Sequence, residues 1–419
     1  WSESIGFSEA DLSIARPRLR PIETVIVPDD RFGQAILLRD SEGVTSRMAT
    51  IPPPLWPILA RFTGAHTTAE IATLATRETG ETVPIELVER LATELDQALF
   101  LDTPRYRAER ARVQEEFIRS PVRPASHAGG AYHGDPEKLR SYVETDCIAG
   151  AGRKEKNGAA RAIVAPHIDP WRGKIGYGHA YGGLRAGLRE SVDTFVLLGT
   201  SHAPMREPFA LCRKAFDTPL GRIEADGRAI DEIAKSAPFD PFADLFNHKR
   251  EHSLEFQAVF VKHLVGNRPV RIIPILCGLG ESQRTGRLPD EDPRAEAFLR
   301  AVRAVVERSP ERTVIIAGAD LAHVGPRFGD PAPYGEEQRR DLASVDRTSL
   351  DLAISGTHRE FFRQVQSDLD TRRVCGLGPI YALLRTMPDG CKGELLHYEQ
   401  TIDAEEGSIV SHAALAFWG

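Results

Sequence analysis

The chain has 419 residues, of which 41% are hydrophobic and 27% charged, and its formal net charge is −7. This length has room for two domains, and the composition is that of a globular protein. The negative charge and the lack of a Lys/Arg-rich block argue against nucleic-acid binding, and no apolar run approaches the ~18 residues of a membrane span. The opening residues do not resemble a signal peptide. The five scattered cysteines are typical of reduced thiols, so we expect a cytoplasmic protein.

The first hundred residues predict a small α+β domain. The stretch TVIVPDDRFGQAILLRDSEG alternates like short antiparallel strands, with RDSEG as the hairpin break. Three short helices are predicted to follow: the first begins at prolines and ends at Gly64, and the second has a capping box from Thr67 to Glu70 and ends at Gly80. The third has one apolar face, formed by Val88, Leu91, Leu95 and Leu99.

This order of strands and helices is typical of a winged-helix-like domain. The segments LWPILARFTGAHTTAEIATLA and LATELDQALFL resemble the PqqD-like peptide-recognition domains that accompany peptide-modifying enzymes. The resemblance implies that residues 1–103 bind a peptide or partner protein; a purely structural appendage is the alternative. A charged helix from Tyr106 is ended by Pro121 and Pro124, so residues 104–125 are predicted to be a helical linker.

Residues 126–419 predict an α/β domain with a mixed sheet and helices on both faces. Continuous apolar strands alternate here with helical stretches, as in ARAIVAP, DTFVLLGTSH, VRIIPILCG, RTVIIAGADLAH, GELLHYEQT and SIVSHAALAFWG. No strand is followed by a P-loop, a Rossmann glycine motif or a G-x-S-x-G elbow. A nucleotide-phosphate site and a serine hydrolase are therefore not expected.

Three of these strands end in polar residues. His167 follows the first strand, His202 the second, and Asp320 and His323 the fourth. Such residues converge in space when their strands are neighbours. One histidine of this kind is more often a structural residue or a cap, whereas three together predict a site. In KREHSLEFQ, His252 is a candidate acid or base, although the helix dipole alone would favour the glutamates beside it.

The segment RRVCGLGPIYALL places Cys375 directly before a glycine-rich helix start. A thiol at a helix N-terminus tends towards the thiolate, which is the form that binds metals. The alternative is a small buried hydrophobic residue, the usual situation of a free cysteine.

Seven motifs resemble the Memo family in their order along the chain: SHAGGAYHGDPEKL, AIVAPHID, LLGTSHAP, EHSLEFQ, IIPILCG, GADLAHVG and VCGLGPIYALL. The family includes protein B of prokaryotic AmmeMemoRadiSam systems, so radical SAM and AMMECR1-like proteins are implied as partners. The resemblance covers the chain from about Ser126 onwards and implies a fold similar to class III extradiol dioxygenases, which are non-haem iron enzymes. The implied metal ligands are His167, His202 and Cys375. The implied acid/base groups are Asp320 and His323, with His252 close by.

More than one function is compatible with these residues. The first is a non-haem iron, oxygenase-type oxidoreductase that acts on a peptide or on a substrate delivered by a partner. Since a thiolate replaces the carboxylate of the dioxygenases, the site could also hold Cu(I) or Zn(II), and a non-catalytic copper- or iron-binding adaptor is the alternative. A zinc hydrolase is a third reading, disfavoured because there is no H-E-x-x-H spacing. The sequence departs from the Memo family pattern in two further places. It has ADL where Memo proteins commonly have SDF, and it has Trp171 and Arg172 after APH, where these side chains would shape the mouth of the pocket.

Overall fold

The computed structural model describes residues 14–151 and 158–419. The chain divides into two compact units, with the boundary between Arg119 and Ser120. This boundary lies inside the segment 104–125 that the sequence predicts to be a linker. The charged helix of that segment, Pro104–Arg119, belongs to the first unit.

The first unit contains a three-stranded antiparallel sheet in the order β1-β2-β3, followed by four helices in its described part. Its elements are β1 (Glu23–Asp29), β2 (Gly33–Arg39), β3 (Ala49–Ile51), α1 (Trp56–Leu59), α2 (Thr68–Thr79), α3 (Ile85–Gln97) and α4 (Pro104–Arg119). The predicted capping box is present, because the Thr67 side chain accepts from the Glu70 backbone N–H and the Glu70 side chain accepts from that of Thr67. Two details differ from the sequence-based expectation. A first hairpin turn, between β1 and β2, lies between Asp29 and Gly33, whereas RDSEG begins the longer connection between the antiparallel strands β2 and β3. Leu99 lies beyond the end of α3.

The second unit is built around one large mixed sheet. The strands of this unit are β4 (Val122–Arg123), β5 (Ala160–Ala165), β6 (Thr194–Thr200), β7 (Phe209–Leu211), β8 (Ala215–Phe216), β9 (Glu224–Ala225), β10 (Arg271–Cys277), β11 (Thr313–Gly318), β12 (Asp320–Val324), β13 (Lys392–Ile402) and β14 (Ile409–Trp418). Strands β4 and β8 pair with each other in a separate two-stranded sheet. Its helices are α5 (Pro136–Ser141), α6 (Pro170–Gly187), α7 (Gly227–Ser236), α8 (His252–Val265), α9 (Gly280–Thr285), α10 (Pro293–Arg308), α11 (Glu336–Ile354), α12 (His358–Gln366) and α13 (Leu377–Thr386), with a π-helical turn at Tyr142–Ile148 after α5.

The sheet runs in the order β12-β14-β5-β11-β6-β10-β7, with β13 paired to β14 and β9 to β10. Strands β5, β11, β6 and β10 are mutually parallel, whereas β14 and β7 pair antiparallel to them, so the predicted mixed sheet is confirmed. Parallel pairing brings the carboxyl ends of β5, β11 and β6 to the same edge of the sheet.

Both faces of this sheet are covered, as the continuous apolar strands predict. In β6, Val196 and Leu198 belong to one core cluster, which also contains residues of α7, α10, α12 and α13. Phe195 and Leu197 point to the other face and belong to a second cluster with residues of α6 and α8. These two apolar layers hold the strand ends in place.

Two further features of the structure are the state of the cysteines and the character of the helices. All five cysteines are free thiols, and Cys147, Cys212 and Cys277 are buried. Among the helices of residues 14–151 and 158–419, none combines the length and the apolar character needed to cross a membrane.

Candidate metal centre

The centre lies at the carboxyl edge of the parallel strands. His167 follows β5 by two residues, and His202 follows β6 by two residues. Strand β11 lies between these two and runs parallel to both, so its last residue, Gly318, sits between the two histidine loops. The sheet topology therefore brings together two histidines that are 35 positions apart in the sequence.

Cys375 completes a group of three side chains that could hold a metal ion. The ligand atoms of His167, His202 and Cys375 all lie within 4.8 Å of one another. The Cys375 Sγ is 3.2 Å from the His167 Nε2, and the two imidazole rings are 5.1 Å apart at their centroids. The His167 side chain is buried, whereas that of His202 is 42% exposed, so the group is reachable from one side.

Each of the two imidazoles forms a hydrogen bond through its Nδ1 atom. The His167 Nδ1 lies 2.9 Å from the Gly318 carbonyl oxygen, and the His202 Nδ1 lies 3.0 Å from a carboxylate oxygen of Glu251. Because a carbonyl and a carboxylate can only accept, Nδ1 is the donor in each ring, and the lone pair of the neutral ring is on Nε2. A second partner that fixes the tautomer is the usual arrangement of a metal-binding histidine. The two rings therefore fit a metal that is bound through both Nε2 atoms.

The backbone around Cys375 is tied to two strand ends. The Thr200 hydroxyl donates to the Cys375 carbonyl at 2.9 Å, and the Gly376 N–H donates to the Asp320 carbonyl at 2.9 Å. A side chain at Gly376 would overlap that carbonyl of Asp320, so the close approach requires glycine. Helix α13 begins at Leu377, directly after these contacts.

The protonation of Cys375 differs from the expectation for a helix N-terminus. Burial, together with the carboxylate of Asp320, raises the pKa of the Cys375 thiol well above its ordinary value. The metal-free thiol therefore keeps its proton at neutral pH. Because metals bind the thiolate, binding at this position releases a proton.

Asp320 and His323 lie in a strand of their own rather than at the end of the preceding one. Strand β11 ends at Gly318, and β12 starts at Asp320 and pairs with β14 at the sheet edge. One Asp320 carboxylate oxygen accepts the His167 backbone N–H at 2.9 Å, and the other lies 3.6 Å from the His167 Nε2. His323 packs edge-on against Phe328, with centroids 5.1 Å apart. The structure thus brings Asp320 into contact with His167, while His323 is affected by the charges of Asp320, His167 and His202.

His252 occupies the middle of the histidine cluster. Its ring centroid is 4.5 Å from that of His202 and 5.4 Å from that of His167. Burial, followed by the charge of His202, lowers the pKa of His252 well below its ordinary value, so this imidazole is neutral at pH 7. A neutral imidazole beside two ligand positions can accept a proton from a bound molecule.

Glu251 has a role that the sequence pattern alone did not show. Its carboxylate caps α8 by accepting the Ser253 N–H at 2.9 Å, as the helix-dipole interpretation predicts. The same carboxylate also accepts the backbone N–H of His202 at 2.8 Å and its Nδ1–H at 3.0 Å. Together with His202 and His252 it forms a second group of potential metal ligands, but the hydrogen bonds to His202 account for that proximity. The signal available in the sequence was only an acid next to a histidine at a helix start.

The family of the chain is shown by comparison with known proteins. The family model for Memo-like proteins matches residues 123–416. A MEMO1 family protein of Aquifex aeolicus is 28% identical over 92% of this chain and 97% of its own length. MEMO1 family proteins of Thermus thermophilus and Desulfurococcus amylolyticus are each 29% identical, over 64% and 72% of this chain and 76% and 99% of their own lengths. Since the first unit is more than a quarter of the chain, the match to the Aquifex protein extends into it. The chain belongs to the Memo family.

Proposed function

We propose that this protein is a metal-dependent, oxygenase-type oxidoreductase with Fe(II) as its metal. The observation that supports the proposal is the group of His167, His202 and Cys375, whose ligand atoms lie within 4.8 Å at the carboxyl edge of the sheet. When bound, Fe(II) would supply open coordination positions for O₂ and for a substrate that chelates through oxygen. Two imidazoles with free Nε2 atoms and one thiol fit such a metal, and also fit Cu(I) or Zn(II).

The other side chains of the site would bind and move protons. His252 is neutral and in contact with both histidine ligands, so we assign to it the acceptance of a proton from a substrate hydroxyl. Asp320 would orient His167 through the backbone N–H that it accepts. For His323, burial lowers the pKa to about 4 despite the charge of Asp320, and as a neutral imidazole it would serve as a second proton acceptor.

The proposal is tested by metal analysis of protein purified without oxygen. We expect about one equivalent of iron in the wild type and loss of that iron when His167, His202 or Cys375 is replaced by Ala. Arg213→Ala, which removes an exposed ion pair with Asp231, is the control that should keep the metal. The iron-loaded protein is then exposed to O₂ with a catechol or a candidate peptide. Unchanged iron content in Cys375→Ala would remove the thiol from the ligand set.

The second candidate function is a non-catalytic adaptor that holds copper or iron. The observation in its favour is the thiol, because sulfur ligands favour Cu(I) over harder cations. Competition between the two metals separates the candidates. Tighter binding of Cu(I) than of Fe(II), with no oxygen consumed by the iron-loaded protein, would support the adaptor.

For the first unit we propose that it binds a peptide or a partner protein. Within the described part of this unit β1 pairs on one side only, with β2, and Ile26 in β1 is 55% exposed. A free strand edge can accept an added strand through main-chain hydrogen bonds. The radical SAM and AMMECR1-like components of AmmeMemoRadiSam systems are the proposed partners. Affinity capture of these two proteins should be weakened by Ile26→Glu but not by Met48→Glu, an equally apolar exposed position outside β1.

A further inference from the structure

Two glutamates of helix α8 hold two histidines in the same way. Glu251 accepts the backbone N–H of His202 at 2.8 Å and its Nδ1–H at 3.0 Å. Glu255 accepts the backbone N–H of His127 at 2.8 Å and contacts its Nδ1 at 3.0 Å. The two glutamates are four positions apart, so they lie on the same side of the helix. The pair of contacts by which Glu251 orients His202 is therefore repeated one turn further along α8, where Glu255 orients His127.

The carboxylate of Glu255 is firmly fixed and ionised. It is buried, and it is paired with the fully buried guanidinium of Arg123. The Ser126 N–H and the Tyr132 hydroxyl also donate to it. Burial alone would raise the pKa of Glu255, but Arg123 and then His127 outweigh burial and hold that pKa far below its ordinary range. Glu255 is thus an acceptor only, so the Nδ1 of His127 is the donor in their contact.

The other nitrogen of His127 remains available. Within residues 14–151 and 158–419 no side chain or backbone group forms a hydrogen bond with the His127 Nε2, and the side chain is 21% exposed. The ring lies edge-on to that of His252, with centroids 5.8 Å apart. His252 in turn contacts the two ligand histidines. His127 therefore belongs to the same histidine cluster, in which His252 is the shared neighbour.

We propose that His127 is a fourth histidine of this site, and that its Nε2 accepts a hydrogen bond from a hydroxyl group of the ligand chelated at the metal. His127 is not part of either group of side chains close enough to share a metal, so its lone pair is free for a donor on the ligand. A hydroxyl group that enters a partly buried pocket needs such an acceptor, and its loss weakens binding by about tenfold. This inference rests on the proposed function, because it requires a ligand that chelates through oxygen.

The test uses the full chain loaded with Zn(II), which has no redox chemistry, and 4-nitrocatechol as a coloured dihydroxy probe. The variant is His127→Asn, because an Asn amide can still donate to Glu255 at the position of Nδ1 but has no atom at the position of Nε2. The matched control is His263→Asn, at the far end of α8, where the histidine contacts Glu144 instead. We expect unchanged zinc content in both variants and about tenfold weaker 4-nitrocatechol binding in His127→Asn alone.

Each other outcome has a distinct meaning. Equal binding by wild type and His127→Asn would overturn this inference while leaving the proposed function intact. Loss of zinc from His127→Asn would show that the residue acts on the metal group and would also overturn it. A zinc-loaded wild type that does not bind 4-nitrocatechol would contradict the proposed function and this inference together. A measurement that needs no variant is acylation of the wild-type protein by diethyl pyrocarbonate, which modifies neutral imidazoles. Bound 4-nitrocatechol should protect His127 from this modification. Equal modification of His127 with and without 4-nitrocatechol would count against its role.

Discussion

Replacement of Glu251 by Gln is the most direct perturbation of the histidine cluster. The carboxylate accepts three hydrogen bonds, two from His202 and one from the Ser253 N–H, and it is buried. An amide of the same shape has one acceptor oxygen instead of two. Whichever way the Gln amide is turned, its NH₂ group faces the Nδ1–H of His202, which lies 3.0 and 3.1 Å from the two carboxylate oxygens, so His202 loses one of its two oxygen contacts at Nδ1.

The expected magnitude follows from that single lost contact. A hydrogen bond to a charged group contributes about 1.5–3 kcal/mol. Loss of the group that orients a metal-binding histidine lowers metal affinity by about 10–100-fold, which corresponds to about 1.4–2.7 kcal/mol. The two estimates agree, so we expect Glu251→Gln to weaken metal binding by 10–100-fold without removing any ligand.

Metal affinity is measured by competition with a chromophoric chelator for Zn(II) and, without oxygen, for Fe(II). The matched control is Glu144→Gln, because Glu144 also contacts a histidine, His263, but is 49% exposed and lies outside the metal-binding group. The control should bind metal like the wild type. Wild-type affinity in Glu251→Gln, or an equal loss in Glu144→Gln, would refute the reasoning that orientation of His202 by its carboxylate supports metal binding.

Two further predictions concern stability, measured by urea denaturation. In α6, a side chain at Gly178 would overlap the carbonyl of Cys147, whereas one at Gly182 would make only an ordinary contact. Gly178→Ala should therefore lower the free energy of unfolding by about 1–3 kcal/mol or more. Gly182→Ala should raise it by about 0.4–1 kcal/mol. Equal effects of the two substitutions would contradict the packing of α6 described above. Burial lowers the pKa of His248 to about 3, against about 6.5 in the unfolded chain. Since the unfolded state then binds the extra proton, stability should fall as the pH drops from about 6.5 towards 3, by up to about 1.4 kcal/mol per pH unit. His248→Gln, which can still donate to the Ala210 carbonyl, should flatten that slope, and an unchanged slope would assign the pH dependence to other groups.

Much of the local structure was predictable from short-range signals. The capping box of Thr67 and Glu70 spans three residues, and the strands of the large sheet are continuous apolar runs. The positions of His167 and His202 directly after such runs predicted that they lie at one edge of the sheet, because carboxyl ends of parallel strands share that edge; that they meet depended on the strand order β5-β11-β6. In these cases the interacting groups are neighbours in the sequence, or their position follows from the strand pattern alone.

Other features depended on the order of the strands in the sheet. Nothing local in GADLAH indicates that the chain leaves β11 at Gly318 and re-enters the sheet as β12, beside β14. From the sequence, RTVIIAGADLAH is therefore interpreted as one strand ending in Asp320 and His323, whereas the structure has two strands there. The consequence is functional, because β12 turns the Asp320 carboxylate towards the His167 backbone N–H, while the His323 ring packs against Phe328.

The sequence by itself determined which candidate metal ligands stand at the strand ends, and only the tertiary structure decided how those residues are held and protonated. His202 and Glu251 are 49 positions apart, and His127 and Glu255 are 128 apart, so no local pattern links them. The proton on Cys375 likewise depends on burial and on Asp320, which outweigh the preference of a helix N-terminus for the thiolate. Hydrogen bonding and desolvation act over a few ångströms, and which groups come that close is decided by the packing of α8 and α13 against the sheet.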